Sequence, residues 1–170
     1  MLFKRKARDE GAIHERGPPA ASSAHDAALV LRASSGLHHL WYLELRLREE
    51  LVRASRADRP FSIGAWRPRL LPGESFPEQQ LQQVAEVIAK SLRSYDVIAR
   101  VDEHRFVALL FDASYENAAT VAFRIKSELQ VRVPGAGRWQ AGVASFGRDG
   151  TDGDSLIQTT LRRMEEDARG

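Results

Sequence analysis

Arg93 and Asp96 stand two residues apart, and five residues after Asp96 the chain carries the polar run Asp102-Glu103-His104-Arg105. A guanidinium fork can pair with a phosphate or a carboxylate, and a carboxylate three positions on can accept from N–H donors. The same i, i+3 spacing is equally that of a plain helix-end ion pair, which contributes a fraction of a kcal/mol when exposed. The four polar residues lie between two apolar runs, 97–101 and 106–111, and so read as the turn of a hairpin.

Little else in the chain has the residue types for chemistry. The five histidines show no HxxxH or HExxH spacing, so no metal site is expected. The glycine-rich stretch 147–153 lacks the Lys-Ser/Thr of a phosphate loop and reads as a turn. There is no cysteine, which excludes a disulfide framework, a Cys-based zinc site and thiol catalysis. No Ser-His-Asp set is legible, and no cofactor is implied.

The elements that must position Arg93 and the turn follow from periodicity. Leu37, Leu40, Trp41, Leu45, Leu47 and Leu51 recur near a 3.6-residue period and predict a helix over about 36–55. Residues 61–66 read as a strand stopped by Pro68, and 70–76 as a loop. A helix over 77–92 carries Leu81, Val84, Ile88 and Leu92 on one face. Beyond the hairpin come a helix over 115–129, a strand over 139–146 and a last helix over 155–168, capped by Asp154 or Ser155. A hairpin inside this order speaks against a doubly wound parallel sheet and for an α+β sandwich.

At 170 residues, 43% hydrophobic and 28% charged, the chain fits one globular domain with a core of ordinary size. Residues 1–33 are basic, then rich in Gly, Pro, Ala and Ser, and read as a mobile tail. The domain itself is assigned to 34–170. No apolar run is long enough to span a bilayer and no secretory signal is present, so the expected location is the cytoplasm. The net charge is +2 and the excess lies in the first sixteen residues, leaving a balanced body. That balance argues against a nucleic acid polymer as partner.

Several segments together resemble the GGDEF domains of diguanylate cyclases, over about residues 34–170. SSGLHHLWYLELRLREEL, RSYDVIARVDEHRFVALLF, AATVAFRIK and GVASFGRDGTDGDSL fall in that family's order and spacing. The resemblance implies a palm-like mixed β-sheet flanked by helices, in a single domain. It also implies an inhibitory product site at Arg93 and Asp96, completed by Arg124 on the following helix, with cyclic di-GMP as the ligand. The family's cyclases hold two divalent metals with carboxylates from the end of the first strand and from the fourth letter of GGDEF. Here the matching positions carry Arg67, Arg69 and Arg105, while Asp102 and Glu103 stand for the two glycines and His104 for the third letter. Roughly six residues that carry guanine contacts in the family also have no counterpart before Leu81. A guanidinium cannot ligate a cation and repels one. The resemblance therefore implies a degenerate active site, no metal, and no enzymatic activity. Asp102 and Glu103 as shifted metal ligands would need a register slip that the flanking strands do not accommodate. Arg67, Arg69 and Arg105 could instead gather around an anion, or pair with surface acids.

The reading that results is a cyclic di-GMP receptor working through Arg93, Asp96 and Arg124, with an unknown protein partner or a second copy of the chain as its output. The alternative is a ligand-independent interaction module built on the same fold. A residual enzyme that binds GTP stands third.

Overall fold

The computed structural model describes residues 35–57, 59–133 and 137–167. The tail expected over 1–33 lies outside them. Four helices and four strands alternate as α1 (Leu40–Ala57), β1 (Phe61–Arg69), α2 (Leu81–Ser91, after a 3-10 turn at Glu78–Gln80), β2 (Val97–Arg100), β3 (Phe106–Phe111), α3 (Tyr115–Arg132), β4 (Arg138–Ser145) and α4 (Gly153–Glu166). The sheet order is β2-β3-β1-β4, and each neighbouring pair is antiparallel. This is the expected α+β architecture. A parallel contact enters as an isolated bridge between His38 and Ala99.

Alternation along the strands divides the core into two layers. In β3, Phe106, Ala108 and Leu110 face α2 and α3, together with Trp66 of β1 and Trp139 of β4. Val107, Leu109 and Phe111 face the opposite way, toward Leu43 and Leu47 of α1 and Leu156, Ile157 and Met164 of α4. All six β3 residues are buried. A strand covered on both faces reads as a continuous apolar run, and its period of two is visible only in what each side chain meets.

Boundaries differ from the sequence reading where tertiary contacts decide them. β1 does not stop at Pro68. Its ladder with β3 ends at Trp66, and beyond that it pairs with β4 alone, through Arg67, Pro68 and Arg69. A proline missing its N–H is tolerated where one side of the strand has no partner. α1 begins at Leu40 because the preceding residues are drawn to the sheet, where the His38 amide donates to the Ile98 carbonyl at 2.8 Å. The cap of α4 is Asp152, whose carboxylate accepts from the Ser155 amide at 2.9 Å.

The free edge of β4 is closed by side chains. Trp139 N–H donates to Gln130 at 3.0 Å, Ala141 N–H to Asp167 at 2.9 Å and Ser145 N–H to Asp149 at 2.9 Å. The Val143 carbonyl accepts from Arg163 at 2.7 Å. An edge satisfied in this way offers no row of open groups to another strand. α4 lies so close to β4 that a Cβ on Gly142 would stand 2.1 Å from the Thr160 carbonyl oxygen. Among the described residues no helix is long and apolar enough to cross a membrane.

Candidate functional site

The end of α2 brings Arg93, Asp96 and Arg124 to one place. After Ser91 the chain leaves the helix at Leu92, which is extended, and turns so that the Asp96 amide donates to the Arg93 carbonyl at 3.1 Å. The Asp96 side chain points inward and is 8% exposed. One carboxylate oxygen accepts the Arg93 amide at 2.9 Å and the other the Phe111 amide at 3.2 Å. Asp96 therefore ties the loop to the last residue of β3. Burial raises its pKa above the usual carboxylate value, against the two amides and the Arg93 charge.

The Arg93 guanidinium is directed outward. It donates to the Tyr95 hydroxyl at 2.9 Å and lies 5.9 Å from the centre of that ring. Arg93 and Asp96 thus meet through a backbone N–H, not through the helix-end ion pair that their spacing also allows. Arg124, on α3, donates to the Ser91 carbonyl at 2.8 Å in an exposed bond. Two guanidinium groups therefore stand at the segment 91–96, one from the loop itself and one from α3. Tyr95 is a neighbour that the spacing argument passes over, although the sequence places it between the two charged residues. It is 51% exposed.

The other candidate residues divide into two groups. Arg67, Arg69, Glu103 and His104 border a cavity of about 310 Å³, together with Gln140 and Phe76. Asp102 and Arg105 do not border it. One Asp102 oxygen accepts the amides of His104 and Arg105 at 3.1 and 2.9 Å, and the other accepts Arg105 Nε. Burial works to raise the Asp102 pKa, but Arg105 and the turn around it outweigh this and hold it below the usual range. The expected convergence of Arg67, Arg69 and Arg105 is therefore only partial, because the turn acid takes Arg105. Arg67 donates to Gln140 Oε1 at 2.7 Å and stands 3.7 Å from Glu165. Arg100, which the sequence reading leaves unassigned, fastens the hairpin. It grips Glu78 at 2.7 and 2.9 Å and donates to the carbonyls of Asp102 and Glu103 at 3.0 and 3.1 Å.

The profile of the GGDEF family, described as diguanylate cyclase, GGDEF domain, matches residues 71–169, more than half of the chain. This chain belongs to the GGDEF family. Solved structures agree on the fold. The isolated GGDEF domain of YfiN (TpbB) from Pseudomonas aeruginosa is 20% identical at a TM-score of 0.69, covering 81% of this chain and 88% of that one. The GGDEF domain of DgcB from Caulobacter crescentus, solved in complex with c-di-GMP, is 17% identical at 0.66, covering 82% and 92%. The active GGEEF domain of a diguanylate cyclase from Vibrio cholerae is 20% identical at 0.57, covering 75% and 86%. A comparison with curated proteins finds no match.

These findings correct one expectation. The side chains at Arg67, Arg69 and Arg105 imply a chain that is not an enzyme, whereas the matched profile is that of diguanylate cyclases and points to an enzyme. The expectation rests on side chains aligned with the family's acids and glycines, Arg67, Arg69, Arg105, Asp102 and Glu103, and on residues without a counterpart before Leu81. Two of them, Arg67 and Arg69, lie outside the matched residues, so their pairing with the family's acids rests on one short strand.

The family also implies divalent metal. Guanidinium groups have no lone pair to give a cation, and the Asp102 carboxylate is committed to Arg105 and two amides. Among the described residues no group of three or more His, Cys, Asp or Glu stands together to hold a metal ion. The side chains in these positions do not fit a divalent cation, and no step is derived through one.

Proposed function

We propose that this GGDEF domain is a cyclic di-GMP receptor, with the ligand held at the end of α2 by Arg93 and Arg124 and with Asp96 fixing the loop beneath it. The observation that carries the reading is a pair of exposed guanidinium groups at residues 91–96, Arg93 from the loop itself and Arg124 from α3. Among the described residues each donates a hydrogen bond to a neutral oxygen, Arg93 to the Tyr95 hydroxyl and Arg124 to the Ser91 carbonyl. A dianionic ligand offers phosphate oxygens and the guanine O6/N7 edge, which form charge-assisted bonds about twice as strong as neutral ones. Exchange toward the ligand is therefore favourable for both arginines. The related DgcB domain, solved with c-di-GMP, supports the choice of ligand.

The role of Asp96 follows from its burial. With both oxygens on backbone amides, it orients Arg93 through the main chain. Occupancy of the site would bias contact with a protein partner or a second copy, since the two-fold ligand can be shared by two such sites.

Thermal unfolding with and without cyclic di-GMP tests the reading. Binding to the folded state alone raises the midpoint as ligand concentration passes the Kd. The rise is expected for the native chain and should shrink in Arg93→Ala and Arg124→Ala. A midpoint unmoved by millimolar ligand would refute the receptor role.

A further inference from the structure

Tyr95 occupies a position that neither the spacing of Arg93 and Asp96 nor the comparisons assign. Because Asp96 turns inward to its two amides, the residue before it is left facing outward, and its ring is 51% exposed. The ring is nevertheless backed. Phe111 meets it edge-on at 6.5 Å between centroids, and the Arg46 guanidinium lies 5.2 Å from the Phe111 ring centre. Among the described residues the Arg93 guanidinium is the cation at Tyr95, 5.9 Å from the ring centre, with Nη1 on the hydroxyl. A supported aromatic ring beside an exposed cation, on a surface with a second arginine nearby, has the composition of a base-stacking platform.

We propose that Tyr95 is the stacking platform for one guanine of cyclic di-GMP, and that Arg93 leaves the tyrosine hydroxyl when the ligand enters. The inference rests on the receptor reading above and names the residue that selects a planar base at that site. Arg93 then takes the edge or the phosphate of the nucleotide while the base lies on the ring. Arg93 supplies charge, Tyr95 supplies a flat apolar face, and Phe111 keeps that face from tilting. The hydroxyl holds Arg93 in the free protein, so removing it costs the complex nothing.

The test compares the native chain with Tyr95→Phe, Tyr95→Leu and Arg93→Ala by titration with cyclic di-GMP, and follows the guanine H8 proton by NMR. Stacking of one base on an aromatic side chain corresponds to about a 5- to 150-fold change in affinity. Tyr95→Leu is therefore expected to weaken binding by about tenfold or more and to abolish the upfield ring-current shift of H8. Tyr95→Phe should bind within about twofold of native and keep the shift. If the native chain binds and Arg93→Ala does not, but Tyr95→Leu binds as native, the platform is refuted and the receptor reading stands. If Tyr95→Phe loses as much as Tyr95→Leu, the hydroxyl and not the ring is responsible, and the platform is again refuted. If the native chain does not bind, both proposals fall. The ring is half-exposed, and an unchanged far-ultraviolet spectrum shows that the variants remain folded.

Discussion

Replacing Asp96 by Ala removes one carboxylate from two backbone amides, those of Arg93 and Phe111. The Phe111 amide is buried and the Arg93 amide partly so, and an unsatisfied buried donor costs about 1–3 kcal/mol. Taking the full penalty for the first and about half for the second gives a loss of about 1.5–4.5 kcal/mol. Part of this is offset. The Asp96 pKa is raised by burial, so its charge is held at a net cost that the alanine no longer bears. A net loss of about 2 kcal/mol follows, which for a domain of this size lowers the unfolding midpoint by roughly 5–8 °C. Asp96→Asn keeps one carbonyl acceptor and should fall between native and Ala. Thermal unfolding followed by circular dichroism measures the loss, and amide exchange at Phe111 localises it. An Asp96→Ala protein as stable as native, with Phe111 still protected, would show that Asp96 does not hold the loop to β3.

Three further outcomes follow from the same kind of reasoning. Glu50 is 1% exposed, and burial raises its pKa despite the nearby Arg53. Its ionised form is a penalty that is complete above the folded pKa and disappears as pH falls through 4.5. Glu50→Gln should therefore be more stable than native at pH 7, with the difference closing toward pH 4.5, as thermal unfolding across that range would show. Asp149 has the opposite sign. Burial pushes its pKa up, but the bidentate Arg163 and the Ser145 amide outweigh it and lower it below 3.8. The pair's contribution is present above 3.8 and is lost as pH falls through the folded value. Asp149→Ala should cost about 3 kcal/mol in denaturant unfolding at pH 7, since it strands a partly buried guanidinium. Gly142→Ala sets a methyl 2.1 Å from the Thr160 carbonyl and 2.5 Å from the Met164 amide. It should cost about 1–3 kcal/mol or more in the same assay, by forcing α4 off β4.

Much of the fold is legible in the chain because two periods are strong. The helix patterns of Val84 and Ile88, and the hairpin runs on either side of Asp102-Glu103-His104, need no tertiary information to be seen. The start of α1 and the reach of β1 past Pro68 do need it, because both depend on which neighbour is present at that point of the sheet. The same division holds at the candidate sites. Arg67 and Arg69 share a strand face by parity, so their joint approach to one cavity is implied by spacing. The loss of Arg105 to Asp102 is not, since a three-residue carboxylate turn leaves no periodic trace. Spacing pairs Arg93 with Asp96 but cannot show that the carboxylate faces inward and the guanidinium outward. For that reason it misses Tyr95. Activity was the least legible property, because substitutions at single aligned positions and one short gap weigh little against a family pattern that runs over residues 71–169.

Calorimetric titration of the full chain with cyclic di-GMP, with Arg93→Ala and Arg124→Ala beside it, tests the central claim most directly. Saturable binding by the native chain, weakened at least tenfold in each variant, is the predicted result. No heat of binding in the native chain, or equal binding in all three proteins, would contradict the account.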